Sequence, residues 1–208
     1  METKQHWEQV YVTKATDAVS WFQPRAETSQ RLIHATGVPP TGAIIDVGGG
    51  ASTLVDGLLA AGYTNLTVLD LSAAALAAAR TRLGAAGDVV RWIEADVRDA
   101  DLPAHAYDVW HDRAAFHFLT DAPARAAYVR TVRHALKSGG HLIVATFAED
   151  GPTRCSGLPI CRYSAVTLQE EFGAAFEPVH QEYEVHTTPA GATQRFVYVV
   201  LRHTGEGG

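Results

Sequence analysis

Ile44-Ile45-Asp46-Val47-Gly48-Gly49-Gly50-Ala51-Ser52-Thr53 decides how this chain is read. Ile44 to Val47 suit a buried strand, three glycines allow positive φ and bare backbone, and Leu54, Val55, Leu58 and Leu59 begin a helix of apolar period. Strand, glycine turn and helix bring free backbone N–H groups to a helix N-terminus, where a ligand can lie against the main chain. A tight surface loop is the plainer alternative for three glycines, and the flanking pattern argues against it.

Outward from this stretch the chain repeats the same unit. Leu66 to Asp70 reads as a second strand ending in an acid, Ser72 as the cap of an alanine-rich helix closed by Gly84, and Val89 to Ile93 as a third strand leading to Glu94-Ala95-Asp96-Val97. Tyr107 to Trp110 is a fourth strand followed by His111-Asp112-Arg113. Asp121 caps a helix with Pro123 in its first turn, which ends at Ser138-Gly139-Gly140 before a fifth strand, His141 to Phe147. Such β-α alternation with continuous apolar strands predicts an α/β fold with a parallel sheet covered by helices on both faces. Ser164 caps a short helix, Leu168 to Phe172, and Phe176 to His186 with Gln194 to Arg202 read as an antiparallel hairpin completing the sheet; the tail from His203 to Gly208 is expected to fray.

Ahead of the core, residues 1–40 read as a helical cap or lid. Trp7, Val10 and Tyr11 have helical spacing, Trp21 and Phe22 follow, and Pro24 is expected in the first turn of a helix that turns Leu32 and Ile33 inward and stops near Gly37. The 208 residues are thus expected to form one domain: a cap (1–40), a ligand-binding core (41–147), and an acceptor loop with the C-terminal hairpin (148–208). A net charge of −6 without a basic cluster argues against nucleic acid or an anionic membrane as partner, and no apolar run reaches the ~20 residues of a bilayer span. The opening Met1 to His6 lacks the apolar core of a signal peptide, so a cytoplasmic location is expected. Cys155 and Cys161 make no disulfide framework and no zinc spacing, and no metal is expected.

Acids at three strand ends, Asp46, Asp70 and Asp96, with His111 beside them, sit where open α/β sheets bind ligands. A glycine turn after strand one and an acid after strand two suit a nucleoside, whose ribose hydroxyls a carboxylate can accept. Thr53 stands where a dinucleotide fingerprint needs its third glycine, and Asp46 would repel a pyrophosphate yet suit a cationic ammonium. Asp46-Val47-Gly48-Gly49-Gly50 resembles the first motif of the class I S-adenosylmethionine-dependent methyltransferases, and residues 40–147 follow that family's order. Leu136-Lys137-Ser138-Gly139-Gly140 is similar to its turn before strand five, with Ser138 in place of the usual proline. The resemblance implies a Rossmann-like, mostly parallel seven-stranded sheet and S-adenosylmethionine as methyl donor, with S-adenosylhomocysteine as product. It implies cofactor contacts at Asp46, Gly48, Gly50, Asp70, Leu71, Asp96, Val97 and His111, with Asp70 on the ribose and Asp96-Val97 on the adenine. His6 to Tyr11 followed by Trp21-Phe22 resembles a small bacterial subgroup, and also the start of elongation-factor lysine methyltransferases, which implies Tyr11 and Trp21 over the methionine end.

Methyl transfer needs an in-line nucleophile, exclusion of water and, for some acceptors, loss of a proton. His117 or Asp112 is the expected base or acceptor-orienting group, against capping or ion-pair roles, and Arg113 is expected either to pair with a carboxylate or to bind an anionic acceptor. Phe147 to Tyr163 reads as a long irregular loop that shapes the acceptor pocket, with Arg154, Cys155 and Tyr163 facing inward; its two thiols suit a soft acceptor or simple packing. The function expected is methylation of a small molecule by a monomer or homodimer. Protein lysine methylation, dinucleotide-dependent oxidoreduction and cofactor binding without catalysis are the alternatives.

Overall fold

The computed structural model describes residues 2–205. Seven strands form one sheet in the order β3-β2-β1-β4-β5-β9-β8: β1 (Ile44–Val47), β2 (Leu66–Asp70), β3 (Arg91–Glu94), β4 (Tyr107–Arg113), β5 (Leu136–Phe147), β8 (Phe176–Thr187) and β9 (Thr193–His203). The pairs among β1 to β5 are parallel, whereas β9 runs antiparallel to both β5 and β8. Arg154–Cys155 (β6) and Leu158–Pro159 (β7) form a separate small hairpin. Helices α1 (Glu2–Thr13), α2 (Glu27–Ala35), α3 (Leu54–Ala60), α4 (Ala73–Leu83), α5 (Ala122–Ala135) and α6 (Ala165–Glu170) surround the sheet.

Two apolar clusters explain the layering. Ile33, Leu54, Leu58 and Leu76 pack with Ile44, Val68 and Val109 on one face, while Tyr128, Val132 and Leu168 pack with Ile45, Trp110 and Val144 on the other. All residues of β1 and β2 are buried, as strands covered on both faces require. The caps also act as read: Ser72 accepts from the Ala75 amide, Asp121 from the Ala124 amide, and Ser164 closes a capping box with Thr167.

Several boundaries differ from the sequence expectations. Pro24 lies ahead of α2, whose N-cap is Ala26 without a side-chain cap. Val89 belongs to a 3-10 turn (Gly84–Val89), so β3 starts at Arg91. Helix α5 ends at Ala135, before Ser138, and β5 begins at once. The expected irregular loop contains the β6–β7 hairpin, and α6 lies earlier than Leu168 to Phe172. Beyond β9, the Thr204 amide donates to the Ala175 carbonyl at 3.0 Å, so the expected fraying does not start at His203; residues 206–208 lie outside the described residues.

The largest difference positions the site. Strand β4 continues three residues past Trp110, so His111, Asp112 and Arg113 are strand residues whose side chains alternate between sheet faces. Register then sets Asp46 of β1 opposite His111 of β4, at the switch in strand order.

Candidate cofactor and acceptor site

A cavity of about 300 Å³ opens at the carboxyl ends of β1, β2 and β4, and a smaller one of about 50 Å³ adjoins it beneath residues 16–29. Tyr11, Trp21, Gly48 and Arg113 border both. The glycine turn between them has little room to spare. A Cβ on Gly48, at φ +67, would stand 2.6 Å from the Ala115 Cβ, and one on Gly50, at φ +41, would stand 2.8 Å from Asp70 Oδ2.

Asp70 ends β2 on the cavity wall, followed there by Leu71. Its Oδ1 accepts from the Ser72 amide at 2.8 Å, and no side chain among the described residues donates to it. Burial pushes its carboxyl up to about 7; the Ser72 amide opposes that shift, and the nearby Asp46 charge adds to it. A buried acceptor with spare lone pairs on a cavity wall is what a pair of ribose hydroxyls requires, so the donor set fits a nucleoside.

At the smaller cavity, Asp46 Oδ1 lies 2.7 Å from His111 Nδ1, and His111 Nε2 lies 2.8 Å from Ser29 Oγ, all three residues being buried. Asp46 thus stands on the wall of the smaller cavity tied to His111. Asp96 and Val97 border the large cavity, with the Asp96 carboxylate held by the Arg98 guanidinium and amide. Burial raises the Asp96 carboxyl, but the Arg98 contacts outweigh it and leave the group below its ordinary range.

The roof is aromatic. Trp7 packs edge-on against Trp21 at 5.6 Å and Phe118 at 5.0 Å, and Trp21 Nε1 donates to the Tyr11 hydroxyl at 3.2 Å. Helix α1 is tied down by the Glu8 carboxylate, which accepts from the Ala73 and Ala74 amides at the N-terminus of α4, and by a Lys4–Glu94 ion pair. Trp7 and Phe118 join Tyr11 and Trp21 here. Trp7 was legible as part of the helical stripe, whereas Phe118 carried no signal separating it from core.

The expected catalytic residues divide. Arg113 reaches the cavities and holds three partners: Nε donates to Tyr198 Oη at 2.9 Å, Nη1 to the Trp21 carbonyl at 3.2 Å, and Nη2 lies 3.4 Å from Glu184 Oε2. Asp112 and His117, the expected base or acceptor-orienting groups, border neither cavity. Asp112 is fully buried and accepts from the Ala115 and Phe116 amides and, at 2.7 Å, from the Tyr128 hydroxyl. Burial raises its carboxyl to about 6 against those bonds, a structural assignment for a group that holds the turn after β4. His117, in the 3-10 turn Phe116–Phe118, is fully buried between Phe118 and Phe147, and burial lowers its pKa to about 3.

In the expected acceptor loop, Arg154 is exposed, Tyr163 packs in the core against Phe116, and Cys155 alone of the three faces the cavity. Burial pushes the Cys155 thiol up to about 11 despite the pull of Arg113, which favours its protonated form on the cavity wall. Cys161 is half-buried against the core. Glu184, Tyr198 and Ser29 were not singled out in the sequence, since each sits in an ordinary strand or helix pattern.

Comparison with known proteins agrees with this geometry. A family model described as a methyltransferase domain matches residues 44–140. Uncharacterised methyltransferases of Mycobacterium tuberculosis and Mycobacterium bovis are 36% identical over 111 residues, 51% of this chain and 51% of theirs, so the chain spans about half the length of the curated relatives it matches. Among solved structures, a SAM-dependent methyltransferase from Anabaena variabilis superposes with a TM-score of 0.75 at 17% identity, covering 98% of this chain and 96% of that one. A protein solved in work on conversion of a disulfide bond into a thioacetal group during echinomycin biosynthesis reaches 0.78 at 18% identity, over 99% and 94%. The Burkholderia thailandensis 1,6-didemethyltoxoflavin-N1-methyltransferase, with its substrate and S-adenosylhomocysteine bound, reaches 0.66 at 20% identity, over 98% and 84%. Residues 44–140 thus match a methyltransferase domain, and the whole chain shares the fold of these solved structures.

Proposed function

We propose that this protein is an enzyme that methylates a small-molecule acceptor with S-adenosylmethionine as methyl donor. The observation that carries the reading is Asp70, a buried carboxylate with spare lone pairs at the end of β2, facing a cavity of about 300 Å³ beside a glycine turn. In this reading Asp70 and the Leu71 backbone hold the ribose, Asp96 and Val97 meet the adenine, and Gly48 and Gly50 let the ligand approach main chain. Asp46, steadied by His111, faces the ammonium at the smaller cavity. Bound S-adenosylmethionine supplies a sulfonium methyl open to in-line displacement. The chain's own contribution is then to bind, align and exclude water: Trp7, Tyr11 and Trp21 cover the cavity, and Arg113 and Cys155 form its acceptor-side wall.

A small acceptor is favoured because the cavity lies under an aromatic roof and the chain carries a net charge of −6. The Burkholderia neighbour, whose name gives it a small heterocyclic substrate, supports the same class. Calorimetric titration with S-adenosylmethionine and S-adenosylhomocysteine, with Asp70→Ala as control, tests the cofactor. Radiolabelled methyl transfer to a panel of thiols, amines and phenols then tests the acceptor. Absence of binding by the folded wild type overturns the reading, and label appearing in a lysate protein band in place of small products would turn it to protein methylation.

A further inference from the structure

Arg113 stands at the joint of the two cavities with its side chain 9% exposed, and a guanidinium there is always charged. Its contacts with Tyr198 and the Trp21 carbonyl satisfy donors without cancelling charge. Burial and Glu184 keep Tyr198 protonated, up to about 12, against the opposing pull of Arg113. Among the described residues, the carboxylate ion-paired with Arg113 is Glu184 of β8. Glu184 Oε2 also accepts from the Tyr198 hydroxyl at 3.2 Å, and its Oε1 accepts from Gln23 Nε2 at 3.2 Å. The arrangement follows from strand alternation. Glu182, Glu184 and His186 share one face of β8 and meet Arg31, Gln23 and the Ser20 carbonyl of the segment leading from the roof into α2.

The proposed cofactor is cationic overall, since its sulfonium and ammonium outnumber its carboxylate, while its demethylated product is neutral overall. A buried guanidinium without a counter-charge would repel the first and leave the second nearly untouched. We propose that Glu184 is a charge-balancing positioning residue, which by pairing with Arg113 makes the site tolerant of the cationic cofactor and sets its preference for that cofactor over the neutral product. This rests on the cofactor reading above. It assigns the C-terminal hairpin a part in ligand selection although Glu184 itself borders neither cavity.

The test is calorimetric binding of S-adenosylmethionine and S-adenosylhomocysteine to wild type, Glu184→Gln, Glu184→Asp and the double variant Arg113→Gln/Glu184→Gln, each checked for a cooperative melt. In Glu184→Gln the ratio of the two affinities is expected to move towards the product by about tenfold or more, the scale of one unpaired charge within about 12 Å at an effective dielectric of ~20. Glu184→Asp, which keeps the charge, and the double variant, which removes both charges, are expected to return the ratio to near the wild-type value even where both affinities fall. Equal weakening of both ligands in Glu184→Gln, or a shifted ratio that the double variant does not restore, overturns the proposal. Failure of wild type to bind either ligand is a distinct result, which removes the cofactor reading and this proposal with it.

Discussion

Replacing Asp70 with asparagine should make the protein more stable while removing its cofactor affinity. Asn keeps an oxygen for the Ser72 amide, so the local turn survives. What changes is the charge. The Asp70 carboxyl is raised from 3.8 to about 7 by burial first, with the Asp46 charge adding to it, so the folded state holds this proton more tightly than the unfolded chain. Stability therefore falls as pH rises from about 4 to about 7, and above that range the ionised group costs the full difference, about 4 kcal/mol as an upper bound. Relaxation and water penetration reduce this, and about 2 kcal/mol at pH 8 is a reasonable expectation, equivalent to a rise of about 4–8 °C in Tm for a chain of this size. Near pH 4 the two proteins should melt together, because Asp70 is then protonated when folded. Thermal melts of both proteins from pH 4 to pH 8, without ligand, provide the measurement. A constant offset between them across this range, or a variant less stable at pH 8, would refute the reasoning. Cofactor should reverse the order, since ribose hydroxyls donating to the carboxylate stabilise only the wild type.

Other perturbations separate structural from ligand-facing groups. Asp112→Ala strands two backbone amides and the Tyr128 hydroxyl, and should cost about 3 kcal/mol, seen as a fall of about 10 °C in Tm; a native melt would show that these bonds hold nothing. His117 is depressed from 6.5 to about 3 by burial, so its proton binds the unfolded chain first and stability is lost as pH falls through that window. His117→Leu should escape about 2–3 kcal/mol of that loss by pH 4.5 and leave cofactor affinity unchanged, so parallel Tm–pH curves would contradict the assignment. Gly50→Ala puts a Cβ 2.8 Å from Asp70 Oδ2 at φ +41 and should weaken S-adenosylhomocysteine binding at least about tenfold by calorimetry; unchanged affinity would mean the turn does not cradle the ligand.

The cofactor end of the site was legible because its geometry follows from local rules. A strand that ends in an acid puts that acid at the sheet edge, and parallel register then brings Asp46, Asp70 and His111 to one end of the sheet. The acceptor end is arranged differently from the sequence reading for a reason equally local. Ending β4 at Trp110 makes His111 to His117 a loop whose residues could all face a ligand. Extending the strand to Arg113 makes parity decide: Trp110 and Asp112 turn to the face carrying Tyr128, while His111 and Arg113 turn to the face carrying Ser29 and Phe196. Apolar propensity favours Tyr107 to Trp110, and pairing with β5 overrides it by carrying His111, Asp112 and Arg113 opposite Ile143, Val144 and Ala145. Glu184 lay beyond any such rule, because its partner stands 71 positions away across two strand crossings.

The cofactor end rests on buried sheet and fixed backbone, so opening it would break core packing. The roof is attached differently: Glu8 meets the end of α4, His6 Nε2 lies 3.4 Å from Ser156 Oγ on the β6–β7 hairpin, and Lys4 pairs with Glu94. Trp7 and Tyr11 add aromatic contacts with Trp21 and Phe118, yet the helix is half-exposed and Val10 is its one buried apolar residue among the described positions. Exposed ion pairs of this kind contribute little, typically below about 1 kcal/mol each. Helix α1 is therefore expected to open before the sheet does, seen as faster amide hydrogen exchange in α1 than in β1, β2 and β4; equal protection of helix and sheet would contradict this. Trp21 is expected to share the protection of the sheet, because its carbonyl is held by Arg113 and that of its neighbour Ser20 by His186.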